Sequence, residues 1–216
     1  MQAFWTGIIL LVPVCYVILR QQVRKVRKIL DILAIEHDGQ VRSVFGSYPQ
    51  LTFQQDGVTL LVSAMTGGGG GVVTGNYSGS KSFAQFYLHN VPEALYFRIR
   101  SKTTQTAGEK LFGLKDMQIG DTGFDDRFVI ETRDVDRLRE LLTPDIRSRI
   151  IHLEGDRGVQ VSLQKLKHFN GTAWVEEPRL DVTIDDISTE RQDYVDLIDA
   201  ALALHDRIRE SLKGNG

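Results

Sequence analysis

Cysteine is almost missing from this chain: one residue, Cys15, among 216. That rules out an intramolecular disulfide and leaves no cysteine metal site and no cysteine nucleophile outside the apolar run that holds Cys15. The scarcity fits a reducing compartment. Histidine is thin as well, with His37, His89, His152, His168 and His205 forming no H-x-x-x-H or H-E-x-x-H pair, so zinc has no ligand spacing. No G-x-S-x-G elbow occurs, and hydrolase chemistry has nothing to stand on. Residues 36–216 lack basic patches interleaved with aromatics, which excludes the usual nucleic-acid footprint. The expectation is no catalytic residue, no cofactor and no metal.

Charge is absent from residues 3–19, a run of 17. As a helix that run is about 26 Å long, enough to cross a hydrocarbon core with little tilt. Phe4, Ile8, Ile9, Leu10, Leu11, Val12, Val14, Val17, Ile18 and Leu19 together favour insertion by about 3–6 kcal/mol. Thr6, Gly7 and Pro13 take some of that back, although membrane helices tolerate a proline break. Trp5 and Tyr16 stand near opposite ends, where aromatic rings prefer the headgroup layer. Arg20, Arg24, Lys25, Arg27 and Lys28 follow at once, against the single acid Asp31. Cations of this kind stay on the cytoplasmic side, which predicts a single pass of the inner membrane with the bulk of the chain in the cytoplasm. A cleavable signal peptide would want a cationic start and a small-residue cleavage site, and neither flank has them. A buried core helix rarely runs so long without a polar face.

Residues 1–35 carry a net +4, which leaves about −6 for residues 36–216 in a total of −2. An acidic body is repelled by anionic headgroups and by nucleic acid, and the basic collar is the lipid-seeking surface. The expected organisation is a transmembrane anchor at 1–19, a basic juxtamembrane helix or stalk at 20–38, and a soluble domain at 39–216. Val23, Val26, Leu30 and Leu33 are spaced 3-4-3. Such a seam packs on the domain, lies among headgroups, or pairs two copies into a homodimer. Asp38-Gly39 is a stop and turn signal.

Beyond Gly39 the hydrophobic period changes to two. Strands are expected over 41–48, 51–55, 58–65, 83–90, 94–101, 117–119, 127–132, 159–169 and 180–184, with Asp56-Gly57 as a hairpin turn. Two short helices follow. Asp134 caps one that buries Val135, Leu138, Leu141 and Leu142. Thr143-Pro144-Asp145 opens the other with a hydroxyl cap, an N1 proline and an early acid. A last helix over 189–212 places Tyr194, Ile198, Ala201, His205, Ile208 and Leu212 on one narrow stripe. The fold class is α+β: an N-terminal transmembrane helix, then a mainly antiparallel β domain with two short helices and a C-terminal amphipathic helix.

The candidate chemistry is sparse. Residues 67–82 begin with five glycines and end Gly75-x-x-x-x-Ser80-Lys81-Ser82, one residue from a phosphate-cradling loop. The second glycine is a serine and a strand pattern follows instead of a helix, so a flexible connection is expected. Asp116, Asp121, Asp125 and Asp126 lack the register of a calcium loop and read as turn acids bonding local amides.

The run Gly120-Asp121-x-x-Phe124-Asp125-x-x-Phe128-Val129-Ile130, followed by Leu141-Leu142-Thr143-Pro144-x-x-Arg147, resembles a signature of uncharacterised bacterial membrane-anchored proteins, a domain-of-unknown-function family. The resemblance covers 120–153, implies a strand joined to a short helix pair, and carries no catalytic residues with it. The expected function is a membrane-tethered cytoplasmic binding or scaffolding module whose partners are the bilayer and a further protein. The alternative is a membrane-associated enzyme or ligand-binding protein with residues 67–82 as a lid and Asp121, Asp125 or Asp126 as base or metal ligands.

Overall fold

The alternation of apolar and polar residues that begins at Gly39 builds one eight-stranded antiparallel sheet. The computed structural model describes residues 2–43, 47–66, 79–102, 116–169 and 172–213; of residues 2–16, 168 and 169 it describes the backbone. In chain order come helix α1 (Gln2–Glu36), strands β1 (Gln40–Arg42), β2 (Gln50–Gln55), β3 (Val58–Met65) and β4 (Lys81–Tyr87), a 3-10 turn (Glu93–Leu95) and β5 (Phe97–Ser101). Then follow α2 (Thr122–Asp125), β6 (Phe128–Thr132), α3 (Val135–Leu141), α4 (Pro144–Glu154), β7 (Val159–Phe169), β8 (Trp174–Ile184) and α5 (Arg191–Lys213). The strand order is β1-β2-β3-β4-β8-β7-β5-β6.

Register separates the two faces. Val62, Ala84, Val182, Val161, Ile99 and Ile130 are opposite one another from β3 to β6, and all are buried. One residue along, the matching row reads Leu61, Gln85, Asp181, Ser162, Arg98 and Glu131. Successive side chains point to opposite faces of a strand, so one face of the sheet is apolar and the other is polar. Helix α5 covers the apolar face over β4 and β8, burying Tyr194, Leu197, Ile198, Ala201, Leu204 and Ile208. Its buried surface is wider than the expected stripe because Leu197, Ala200 and Leu204 also turn inward. His205 is fully buried there, stacked on Phe86 with ring centres 4.6 Å apart.

The expected transmembrane helix has to be corrected. Its backbone belongs to one continuous helix, α1, but among the described residues no helix is long and apolar enough to cross a membrane. The reason lies in the described side chains, which begin at Val17. From there on α1 is amphipathic: Val26, Ile29, Leu30 and Leu33 are buried against the sheet, while Arg20, Arg24, Lys25, Arg27 and Lys28 are exposed. The 3-4-3 seam thus faces β1 and β2, and this half of the helix is a wall of the domain. Gly39 allows the return. A Cβ there would stand 2.8 Å from Leu51 Cδ1 and 2.9 Å from the Thr52 carbonyl, so only glycine fits so close to β2.

Smaller differences have local causes. Asp56 and Gly57 both take positive φ, 51° and 80°, as a tight hairpin requires. Residues 117–119 form no strand, and Met117 N makes a single bond to Ile130 O at 2.8 Å. Strand β8 begins at Trp174, before the expected 180, and Pro178 sits just past the last β4 pair, where a missing N–H is tolerated.

Candidate functional site

A pocket of about 180 Å³ opens where β5 begins and β7 runs on. The last β5 pair joins Phe97 to Leu163, and from there β7 continues against β8 as far as Phe169. The step between a short strand and a long one creates the space. Pro92, extended at φ −65° and ψ 143°, leads the chain into the 3-10 turn that delivers Tyr96 and Phe97 to the wall.

Arg98, Glu131 and Gln164 form the polar part of the lining. Arg98 and Glu131 are direct cross-strand partners, 9% and 5% exposed. Arg98 Nη2 donates to Gln164 Oε1 at 3.2 Å, and Arg100 Nη2 donates to Glu131 Oε1 at 3.0 Å. Glu131 Oε2 is buried and accepts no hydrogen bond among the described residues. The rim carries Glu93 and Arg133, paired with each other, and Lys165, whose ammonium lies 3.8 Å from Glu176. Burial, with Glu93 beside it and Arg133 opposing, pushes the Tyr96 phenol above its ordinary range, so it stays a neutral hydroxyl. No histidine, cysteine, serine or threonine is among the described lining residues. The pocket offers hydrogen bonds and charge of both signs.

The polar row continues away from the pocket. Arg179 Nε meets Asp181 Oδ1 at 2.8 Å with the two side chains 1% and 3% exposed. Removing one partner of such a pair strands a charge, typically at a cost of about 3–5 kcal/mol. Gln85 Oε1 and Ser162 Oγ are buried without a partner among the described residues.

The residues singled out from the sequence lie elsewhere. Trp5 and Tyr16 belong to the part of α1 whose side chains are outside the described residues, as are residues 67–78 of the glycine-rich segment. Lys81 and Ser82, its basic end, are buried on β4: Lys81 pairs with Asp185 at 2.9 Å and Ser82 Oγ accepts from Ser188 N at 3.0 Å. Asp121 caps α2, accepting from Phe124 N at 3.1 Å, and its other oxygen meets Arg147 at 3.1 Å. Asp125 accepts from Ile119 N and Gly120 N, both at 3.0 Å, across a backbone that turns through Gly120 at φ 85°. Phe124 and Phe128 pack with ring centroids 4.4 Å apart and planes tilted by 34°. Thr143 caps α4 through Ile146 N with Pro144 next to it. These acids converge on no histidine, and no group of three or more histidine, cysteine or acidic side chains fit to hold a metal occurs among the described residues.

No family model, curated protein or solved structure matches the chain. The reading of the site therefore rests on its own chemistry. Sequence reasoning missed Arg98, Glu131 and Gln164, because charges at alternate strand positions signal a solvated face. The strand ranges included all three, but nothing in the sequence indicates that the face they share is buried.

Proposed function

We propose that the protein is a binding or scaffolding module working against an anionic membrane surface, with its acidic domain on the cytoplasmic side. The observation that supports this is the outward side of α1. Arg20, Arg24, Lys25, Arg27 and Lys28 are all exposed there, and Val17, 51% exposed, stands on the same side. Each cation near an anionic leaflet contributes about 1 kcal/mol, and apolar neighbours add area that the headgroup boundary can cover. The inward side of the same helix is part of the core, so attraction to the surface is transmitted to the whole domain. The acidic remainder of the chain is repelled by the same surface and faces away from it, where a protein partner can reach it.

The test is co-sedimentation of the full-length protein with phosphatidylcholine vesicles, with and without phosphatidylglycerol, at low and high salt. The bound fraction should rise with the anionic lipid and fall with salt. Replacing the five cations by glutamine should remove the dependence on phosphatidylglycerol. Equal binding of the native chain to neutral and anionic vesicles would overturn the proposal.

A further inference from the structure

We infer that α1 docks lengthwise on an anionic leaflet, with a contact that runs from Val17 to Ile35 and includes the flank of the folded domain. This rests on the membrane-surface reading and adds to it the side and the extent of the contact. Three observations lead there. The first is position. At about 3.6 residues per turn, the step from Val17 to Ile35 makes about five whole turns, so both side chains stand on one line along the helix. Val26, midway between them, is half a turn away and fully buried, which makes that line the outward one. The second is exposure. Ile35 is 84% exposed, and Ile32, about 60° round the helix from it, is 46% exposed. With Val17 they place apolar area at both ends of the outward line. The third is charge. Arg24 and Lys28 stand exposed between those ends, within about 20° of the line. No acid pairs with either among the described residues, and the neighbouring Asp31 lies 3.7 Å from Arg27 instead.

The pattern selects the occupant. A second copy laid antiparallel along this line would bring Arg24 and Lys28 against their own counterparts, and like charges brought together at an interface cost affinity. An anionic leaflet takes both kinds of residue. The aliphatic stems of Arg24 and Lys28 lie along the boundary with their cations among phosphates, while Val17, Ile32 and Ile35 enter the layer beneath. A helix held by its N-terminal end alone makes no use of an apolar residue at Ile35; one held along its length does. Val26, Leu30 and Leu33 fix the same helix to the sheet, so a lengthwise contact presents the domain in one orientation.

Emission of a fluorophore that moves to the blue on leaving water tests it. In a Cys15→Ser background, Ile35→Cys carries the label on α1, and Glu176→Cys carries it at an exposed position on β8, on the far side of β3 and β4 from β2. When the full-length protein meets vesicles containing phosphatidylglycerol, the label at 35 should shift to the blue and the label at 176 should not. Ile35→Ser, at a position too exposed to burden the fold, should bind the same vesicles about fivefold or more weakly with an unchanged melting temperature. If the protein binds vesicles while the label at 35 stays in water, or while Ile35→Ser binds as tightly as the native chain, the lengthwise contact is overturned and the membrane reading stands. Absence of binding to any anionic vesicle removes both. A blue emission at 35 that grows with protein concentration without lipid assigns the line to a second copy and overturns the inference.

Discussion

Tyr194 shows how one buried hydroxyl can tie three segments together. Its oxygen donates to Ser188 O at 3.2 Å and lies 3.3 Å from Ser82 Oγ, which in turn accepts from Ser188 N. The loop before α5, the start of β4 and α5 itself meet there. Beside them Ser188 Oγ donates to Asp193, which Arg157 holds in a two-pronged pair at 2.6 and 2.7 Å. Arg157 accordingly holds the Asp193 carboxyl below its usual range, with Ser188 helping. Burial pushes the Tyr194 phenol up to about 12, against a smaller opposing effect of the Ser82 hydrogen bond. A pKa raised in the folded state favours the neutral phenol. Its contribution is therefore present below the unfolded value near 10 and is lost as pH climbs from about 10 to 12. Tyr194→Phe should cost about 1 kcal/mol at pH 7 through its lost hydrogen bonds. The same variant should lose less stability than the native chain across that alkaline window. Urea midpoints at both pH values check this, and an alkaline decline as steep as the native one would show that the phenol is not its source.

At the level of elements, α1 carries the sharpest consequence. Leu30 and Leu33 are fully buried, Arg191 bonds Glu36 at 2.6 Å, and Tyr48 donates to Gln22 at 3.4 Å. A helix attached in this way is structural. Leu30→Ala should destabilise the domain by about 2–5 kcal/mol, the usual cost of an emptied core site. A melting temperature unchanged in that variant would return α1 to the status of a stalk. This element also shows what could be read from the chain. The 3-4-3 spacing of Val23, Val26, Leu30 and Leu33 identified the apolar side correctly, but spacing does not say whether the surface it meets is sheet, lipid or a second helix. Turn chemistry was legible where a residue type forces a conformation, as at Asp56-Gly57 and at the Thr143-Pro144 cap. The one-turn helix α2 was not legible, because four residues are too few to show a period. The pocket was invisible for a different reason: it is made by a length mismatch between β5 and β7, and strand pairing is a property of the assembled sheet.

Across the whole molecule one buried apolar cluster runs without a break from Val26 and Leu33 on α1, through the sheet, to Leu204 and Ile208 on α5. Elements that share a single core lose it together. Thermal unfolding followed by near-ultraviolet and by far-ultraviolet circular dichroism should therefore give superimposable transitions. Separate midpoints would mean that α1 with β1 and β2 forms a unit apart from the strands under α5. The polar face has the opposite character, with charges paired locally, as in Arg179 with Asp181 and Arg100 with Glu131. Packing supplies cohesion on one side of the sheet, and paired charges line the other.

The unbroken length of the first helix has one more implication. Its 35 residues form a rod of about 52 Å whose C-terminal half is mortised into the sheet. A globule joined to a helix by a long loose linker tumbles independently of it, whereas only residues 37–39 separate α1 from β1. Whatever grips the far end of the rod also sets the compass bearing of the β5 pocket.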